Sequence, residues 1–192
     1  MKKIIFASNN KGKLEEVKYI LSDLNIQIIS LADIDDSIDI EESGNSFEEN
    51  ALIKAEHVFN RFKTPTIADD SGLVVQQLNG APGIYSSRYA GADGNDKANN
   101  EKLLNELKNY PHPHRAKFVC AAVYYDGEST HTAVGEFIGK IIDEEVGNNG
   151  FGYDPLFVPD GYNVTSAQLE PAIKNRISHR LKAFEKLKNN LL

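Results

Sequence analysis

The stretch Lys117–Tyr125 places the strongest constraint on how this chain can fold. Every residue after Lys117 in it is apolar or aromatic, so a strand formed here is apolar on both faces. Such a strand needs cover on both sides and belongs near the centre of its sheet. Asp126-Gly127 then predicts a turn into a second long strand near His131–Ile138. The chain therefore needs a sheet with other elements packed on both faces.

The rest of the chain alternates between short strands and amphipathic helices. Short apolar runs predict strands at Lys3–Ala7, Ile26–Ile29, Thr66–Ala68 and Leu73–Val75. Apolar residues at helical spacing predict helices through Leu14–Leu24, Ser46–Phe62, Leu103–Leu107 and Ile177–Leu187. Ser46 and Glu49 have the spacing of a capping box, which favours a helix start there. This order predicts an α/β fold with a mixed sheet.

Length and charge narrow the class of protein. At 192 residues the chain is predicted to form a single domain, residues 1–192. Its net charge is −7, and the window 31–50 holds eight Asp and Glu with no Lys or Arg. The rest of the chain is close to neutral, which disfavours nucleic acid and membrane surfaces as partners.

The single cysteine and the N-terminus predict a cytoplasmic protein. Cys120 has no second cysteine with which to form an internal disulfide, and it is predicted to be a core residue of its strand. The apolar run after Lys3 ends within four residues, which is too short for a signal peptide.

Two predicted helix starts carry cations where the helix dipole favours anions. Lys11 and Lys13 lie in the segment Ser8-Asn9-Asn10-Lys11-Gly12-Lys13, and His179 and Arg180 follow the potential cap Ser178. A bound anion would neutralise such charges, so the two starts together favour a polyanionic ligand held between two lobes. The first segment is not a Walker A loop. The alternative is two solvated basic helix ends.

Carboxylates form a third group of candidate residues. Asp69-Asp70-Ser71-Gly72 is predicted to lie where one short strand ends and another begins, and Glu41-Glu42 lies in the acidic window. Carboxylates from separate segments are the usual protein ligands of Mg²⁺. The alternatives are a turn aspartate satisfied by backbone N–H groups and a solvated acidic loop.

The loop Gly150-Phe151-Gly152-Tyr153-Asp154-Pro155 places aromatic rings between glycines. Such rings can stack on a flat ligand while an acidic side chain accepts its N–H groups, although the loop could equally be anchored in the core. His112 and His114 alternate with prolines, and no cysteine or further histidine lies close to them in sequence. A zinc site is therefore not predicted there.

Six motifs follow one another along the chain from residue 8 to residue 180. They are Ser8-x-Asn10-x-x-Lys13, Phe47-x-x-Asn50-Ala51-x-x-Lys54-Ala55, Ala68-Asp69-Asp70-Ser71-Gly72, Gly80-Ala81-Pro82-Gly83, Phe151-Gly152-Tyr153-Asp154-Pro155 and Ser178-His179-Arg180. In this order they resemble the inosine/xanthosine triphosphate pyrophosphatase family. Each motif alone is weak evidence, whereas six in order are strong evidence.

The resemblance implies an elongated mixed β-sheet with helices, two lobes around a central nucleotide-binding cleft, and a homodimer. It also implies Mg²⁺-dependent hydrolysis of ITP, dITP and XTP to the nucleoside monophosphate and pyrophosphate. Asp70 would be the catalytic base and would bind the metal with Glu41, with Asp69 and Glu42 as open alternatives for those two roles. The implied substrate-binding residues fall into two groups. Those that would hold the triphosphate are Ser8, Asn9, Asn10, Lys11, Gly12, Lys13 and Lys54. Those that would face the nucleobase are Phe151, Gly152, Tyr153, Asp154, Lys174, His179 and Arg180, and Ser71 is implied to contact the substrate as well.

Two other functions fit parts of the same pattern. A related pyrophosphatase for modified pyrimidine nucleotides would share the phosphate-binding residues. A nucleotide-sensing module would bind a triphosphate without turnover. Asp69-Asp70 argues against sensing alone, because added negative charge near phosphates weakens binding unless a metal is present.

Overall fold

A computed structural model describes residues 1–34, 38, 40–91 and 94–191. Asp35, Asp36 and Asp39 of the acidic window lie outside the described residues. The strands are β1 (Lys2–Phe6), β2 (Ile26–Ser30), β3 (Thr66–Val75), β4 (His114–Tyr125), β5 (Thr130–Ile141) and β6 (Phe157–Pro159). The α-helices are α1 (Lys11–Ile20), α2 (Phe47–Phe62), α3 (Asp96–Leu107), α4 (Pro171–Ile177) and α5 (His179–Leu187).

The strands form one six-stranded mixed sheet in the order β2-β1-β3-β4-β5-β6. β1 pairs in parallel with β2 and β3, whereas β5 and β6 are antiparallel. The α/β class and the mixed sheet predicted from the sequence are therefore confirmed. β4 lies inside the sheet, where a strand that is apolar on both faces belongs.

The chain divides into two compact units, and the first is formed by residues 1–70, 120–135 and 179–192. Its core has two parts because successive side chains of a strand point to opposite faces. Ile4 and Phe6 of β1 pack in a cluster that includes residues of α1 and α5. Ile5 and Ala7 pack in a second cluster, which includes residues of α2. Cys120 is fully buried in the first cluster, as its sequence context predicts.

The second unit is formed by residues 71–119 and 136–178. Its core joins the second half of β3 and the start of β4 to α3, with Leu73, Leu103 and Phe118 among its members. Tyr153 and Phe157 belong to the same cluster, so the aromatic loop is anchored in this core.

Among the residues that the structure describes, none of the helices combines the length and the apolar character that a membrane span requires.

The structure differs from the sequence predictions at two points that matter for the site. Thr66–Val75 is one continuous strand rather than two, so Asp69 and Asp70 lie in mid-strand. Ile177 belongs to a separate helix, α4, whereas the last helix begins at His179, directly after the potential cap Ser178, whose backbone is extended with φ −66° and ψ 156°. Buried carboxylates usually interrupt a strand pattern, and they are tolerated here because partners from other segments reach them.

A glycine allows α5 to lie directly on β5. A Cβ atom at Gly135 would come within 2.1 Å of the backbone oxygen of His179 and 2.5 Å of the backbone nitrogen of Ala183. No other residue type leaves that space free. Gly135 thereby sets the depth at which the start of α5, with Arg180, enters the first unit.

Candidate active site

The loop after β1 is ordered by its own polar side chains. The Ser8 hydroxyl accepts a hydrogen bond from the Asn10 N–H at 3.2 Å, and the Asn10 side chain accepts the Lys13 N–H at 3.0 Å. Asn10 is thus the N-cap of α1, which has no acidic residue in its first turn. Asn9 donates to the Ile38 carbonyl oxygen. The α1 start therefore keeps the positive character expected from the sequence.

Asp69 forms an ion pair with one cation from each of the two helix starts that carry Lys, His or Arg. Its Oδ2 lies 3.4 Å from the Lys13 Nζ of α1 and 3.1 Å from the Arg180 Nε of α5. Arg180 also pairs with Glu16 of α1 through Nη1 at 2.5 Å. Asp69 and Arg180 are almost completely buried. The Asp69 and Glu16 carboxylates therefore neutralise much of the positive charge that the sequence places at these two helix starts.

These cations decide the ionisation of Asp69. Burial by itself would raise the pKa of its carboxyl, but Lys13 and Arg180 outweigh burial and hold the pKa well below its usual range. These contacts favour the charged form of the Asp69 carboxylate. The Cys120 thiol donates a weak hydrogen bond to the same carboxylate, and burial raises the pKa of this thiol. Cys120 is consequently inert.

Asp70 belongs to a different set of partners, because adjacent residues of a strand face opposite sides. Its Oδ2 accepts a hydrogen bond from the Asn50 Nδ2 of α2 at 3.1 Å, and its Oδ1 lies 3.7 Å from the Lys54 Nζ. The same ammonium group is 2.7 Å from Glu42 Oε1. α2 therefore supplies an amide and a cation to the carboxylate of β3.

The loop before α2 is shaped by Gly44. The Gly44 N–H donates to the Asn50 Oδ1 at 2.8 Å, which turns the amide so that its Nδ2 faces Asp70. A Cβ atom at Gly44 would come within 2.7 Å of that oxygen and of the Glu49 Cβ. Asn45 completes the cap, since its N–H donates to the Glu49 carboxylate at 2.7 Å. The loop that carries Glu41 and Glu42 is thus fastened to α2.

The pKa of Asp70 is shifted in the opposite direction to that of Asp69. Burial raises the pKa of Asp70, and the attraction of Lys54 and Lys13 does not offset this fully. Burial would lower the pKa of Lys54, but Asp70 and Glu42 outweigh it and raise that pKa. The surroundings of Asp70 therefore favour the protonated form of its carboxyl more than those of Asp69 do.

The predicted base-binding residues Phe151, Asp154 and Lys174 form a group of their own in the second unit. Asp154 accepts the Phe151 N–H at 2.9 Å and binds the Lys174 Nζ at 2.6 Å. The ammonium group lies 5.0 Å from the centre of the Phe151 ring. Asp154 and Lys174 are buried, whereas Phe151 is 36% exposed. One carboxylate therefore holds both the loop and the cation.

A pocket of about 280 Å³ opens beside the Phe151 ring. Asn100 of α3 lies on its wall and fixes the loop, because its Nδ2 donates to the Gly152 carbonyl oxygen and to Glu145. Tyr153 points away into the core, where its hydroxyl donates to the Ser86 carbonyl oxygen. The pocket is lined by Asp96, Lys97, Asn100, Glu145, Asn148, Asn149, Gly150, Phe151, Gly152 and Pro155.

The remaining predicted site residues are placed as follows. Lys11 and Gly12 lie in the first turn of α1, and Ser71 is partly exposed in β3 next to Asp70. His179 is buried at the start of α5. Glu41 is exposed, while Glu42 is the glutamate that meets Lys54. Contact of any of these residues with a substrate or metal stays a prediction.

Sequence reasoning missed Glu16 and gave Asn50 no role. Glu16 follows Lys13 by three residues, so the two share a face of α1, which was an available signal. The pairing of Glu16 with a residue 164 positions away had no sequence signal.

The comparisons with known proteins identify the family. The sequence matches the model of the Ham1 family over residues 4–190. The chain belongs to the Ham1 family. It is 50% identical to a dITP/XTP pyrophosphatase of Oceanobacillus iheyensis in an alignment of 190 positions that covers 97% of this chain and 96% of that protein. A dITP/XTP pyrophosphatase of Clostridium perfringens is also 50% identical, over 100% of this chain and 98% of that protein.

Solved structures of Ham1 proteins share the fold. The Staphylococcus aureus Ham1 protein aligns with a TM-score of 0.88 and 44% identity, over 99% of this chain and 98% of that one. A Ham1 protein of Coxiella burnetii aligns with a TM-score of 0.91 and 40% identity, over 100% of this chain and 98% of that one. The family resemblance read from the six motifs is thereby confirmed.

The two neighbouring aspartates should differ sharply when each is replaced by asparagine. We expect Asp69→Asn to lower the free energy of unfolding by about 3–5 kcal/mol, because Arg180 and Lys13 lose a buried partner. Asp70→Asn should change it by less than about 1 kcal/mol, since burial already disfavours the charged form of Asp70. Urea unfolding of both variants measures the difference. Equal losses would contradict the separate roles of the two carboxylates.

Proposed function

We propose that this Ham1 protein hydrolyses ITP, dITP and XTP to the nucleoside monophosphate and pyrophosphate. The reaction would remove deaminated purines from the nucleotide pool. The relatives named dITP/XTP pyrophosphatase support the substrate class. The observation that carries the chemistry is the group of Asp70, Lys54 and Glu42 in the first unit, which combines a carboxylate of raised pKa with a buried cation.

Lys13 and Lys54 are the residues we assign to the triphosphate. Both ammonium groups lie close to aspartates of β3, and both side chains keep some exposure. The N-terminus of α1, with Lys11 and Gly12 in its first turn, adds the partial positive charge of a helix start for the same anion. Charge neutralisation of this kind stabilises pyrophosphate as a leaving group.

The carboxylates of Asp70 and Glu42 fit a divalent cation, and we propose Mg²⁺. Lys54 supplies one positive charge to two carboxylates, and burial together with the charge of Glu42 raises the pKa of Asp70. Carboxylate oxygens are the ligands that Mg²⁺ prefers. When bound, Mg²⁺ would neutralise phosphate charge and activate water. The geometry favours Glu42 as the second ligand, and a role for Glu41 stays a prediction.

Asp70 is the residue we assign as general base. It would accept a proton from the water whose oxygen attacks the α-phosphorus, while the bond to pyrophosphate breaks. A base needs a carboxylate that can hold a proton, and the raised pKa of Asp70 meets this requirement. Asp69 does not, because Lys13 and Arg180 keep it charged.

Base recognition is assigned to Phe151, Asp154 and Lys174. The half-exposed Phe151 ring offers a stacking face, and the Lys174 ammonium offers N–H donors to the 6-oxo group of hypoxanthine or xanthine. Adenine carries an amino group at that position, which such a donor repels. Guanine shares the 6-oxo group, so its rejection must depend on its 2-amino group.

Arg180 and His179 were expected to face the base as well. The contacts of Arg180 with Asp69 and Glu16 support a different role, in which it holds the start of α5 and orients Asp69. The homodimer, the cytoplasmic location and the description of residues 1–192 as one pyrophosphatase domain stay predictions.

A substrate panel tests the proposed reaction. The protein is incubated with ITP, dITP, XTP, GTP and ATP, with and without Mg²⁺, and the products are resolved by phosphorus NMR. We expect metal-dependent release of pyrophosphate from the first three substrates. Formation of nucleoside diphosphate and orthophosphate would contradict attack at the α-phosphorus. Preferential hydrolysis of modified pyrimidine triphosphates would favour the related pyrophosphatase activity instead.

Removal of the proposed general base, Asp70, should slow turnover strongly without unfolding the protein. We expect Asp70→Asn to lower kcat for ITP by roughly 10²-fold or more, because general-base catalysis contributes about 10²–10⁴. Substrate binding, measured by calorimetry, should persist. A near-normal kcat in a folded Asp70→Asn protein would remove Asp70 from the chemistry.

Removal of the buried Lys174 ammonium should reduce the discrimination between the nucleobases of ITP and ATP. Lys174→Met removes the cation that neutralises the buried Asp154 carboxylate, so the double variant Lys174→Met with Asp154→Asn is the better test. We expect it to lose about 10- to 100-fold more kcat/KM on ITP than on ATP, which corresponds to one charged hydrogen bond. Lys97→Met, on the same pocket wall, is the matched control and should leave the ITP/ATP ratio unchanged. An equal loss of kcat/KM on ITP and ATP would show that the nucleobase binds elsewhere in the protein.

A further inference from the structure

Two histidines and an aspartate meet in the second unit, in a group that the proposed reaction does not use. His112 precedes β4, His114 is its first residue, and Asp143 follows the end of β5. The His112 Nε2 lies 3.2 Å from one Asp143 carboxylate oxygen, and the His114 Nε2 lies 3.9 Å from the other. One donor atom from each residue can be chosen so that all lie within 4.8 Å of one another. The sequence pointed away from a metal here because Asp143 is 29 positions from His114.

These distances fit a zinc-class ion. Ligand atoms about 2.0–2.1 Å from a tetrahedral zinc ion are about 3.3 Å apart, so only small side-chain shifts are needed. Two imidazoles and one carboxylate suit Zn²⁺, Co²⁺ or Ni²⁺, whereas Mg²⁺ favours oxygen ligands alone. His112 and Asp143 are largely exposed, so water can complete the coordination. Asp143 also begins the acidic run Asp143-Glu144-Glu145, which favours a cation nearby.

The hydrogen bonds of Gln77 prepare His114 as a ligand. The Gln77 Nε2 donates to the Pro111 carbonyl oxygen at 2.6 Å, which leaves the Gln77 Oε1 as the atom that faces His114. The His114 Nδ1 lies 3.0 Å from that oxygen and must donate to it. The proton therefore sits on Nδ1, and the Nε2 lone pair points toward Asp143. A donor bond of this kind on the second ring nitrogen is typical of histidines that bind metals.

The packing around His114 restricts the orientation of its ring. His114 is 3% exposed, and its ring centre lies 4.2 Å from that of His112. The buried ring therefore keeps its Nε2 on the side of Asp143, 3.9 Å from the carboxylate oxygen.

We propose that His112, His114 and Asp143 bind one Zn²⁺ ion, with Gln77 as the residue that orients His114. The ion would join the segment before β4 to the segment after β5 and stabilise the second unit. This site would use two nitrogen ligands and one oxygen ligand, whereas the site assigned to Asp70 and Glu42 uses oxygen ligands alone. The proposal does not depend on the pyrophosphatase reaction, and its test uses no substrate.

The test is a metal titration of the untagged, full-length protein after removal of metals, with excess Mg²⁺ present to occupy oxygen-ligand sites. Zn²⁺ binding is followed by calorimetry, and Co²⁺ binding by its visible absorption. We expect one equivalent of Zn²⁺ to bind and to raise the Tm. His112→Ala and Asp143→Ala, both at exposed positions, should each lose that equivalent. His57→Ala, which removes an exposed histidine of α2, is the matched control and should retain it.

The role of Gln77 has its own pair of variants. Gln77→Leu removes the acceptor and should weaken Zn²⁺ binding by about 10- to 100-fold, the range found for residues that support a metal ligand. Gln77→Glu keeps an acceptor oxygen and should bind Zn²⁺ at least as well as the wild type. The same stoichiometry and affinity in wild type, His112→Ala and Asp143→Ala would overturn the proposal. An equal loss in His57→Ala would do so as well.

Discussion

The buried pairing of Asp69 with Arg180 and Lys13 is the interaction on which the first unit depends. It joins the middle of β3 to the starts of α1 and α5, and Glu16 adds a second carboxylate to Arg180. Such a group is stable only when all of its members are present, because each lost partner leaves a buried charge. Gly135 allows α5 to come close enough to β5 for Arg180 to enter this group.

The alternation of side chains along β3 gives the adjacent residues Asp69 and Asp70 different surroundings. Asp69 faces the side of the sheet where cations keep it charged, and Asp70 faces α2, where burial raises its pKa. A one-residue shift of β3 would exchange these surroundings and would place Asp70 next to Lys13 and Arg180. The parallel pairing of β1 with β3, through Ile5 with Thr66 and Phe6 with Ile67, sets the register that prevents this.

Much of the fold was predictable because local patterns and tertiary packing agree. β4 is apolar on both faces and lies inside the sheet, and the Ser46 cap starts α2 where its spacing indicates. The prediction of two short strands around Asp69-Asp70 was wrong, since the charges that allow these carboxylates in mid-strand come from residues 13, 54 and 180. The His112, His114 and Asp143 group was missed for the same reason, because its third member is distant in sequence.

The α/β class, the family and the types of charged residue at the candidate site could all be read from the amino-acid sequence. Those features depend on periodicity, helix caps and motif order, which are local properties of the chain. The structure was needed to show which aspartate is surrounded by buried cations, which glutamate meets Lys54, and that Arg180 pairs with Asp69 and Glu16. Burial and the distance to opposite charges set the state of an ionisable group, and both depend on segments far apart in sequence.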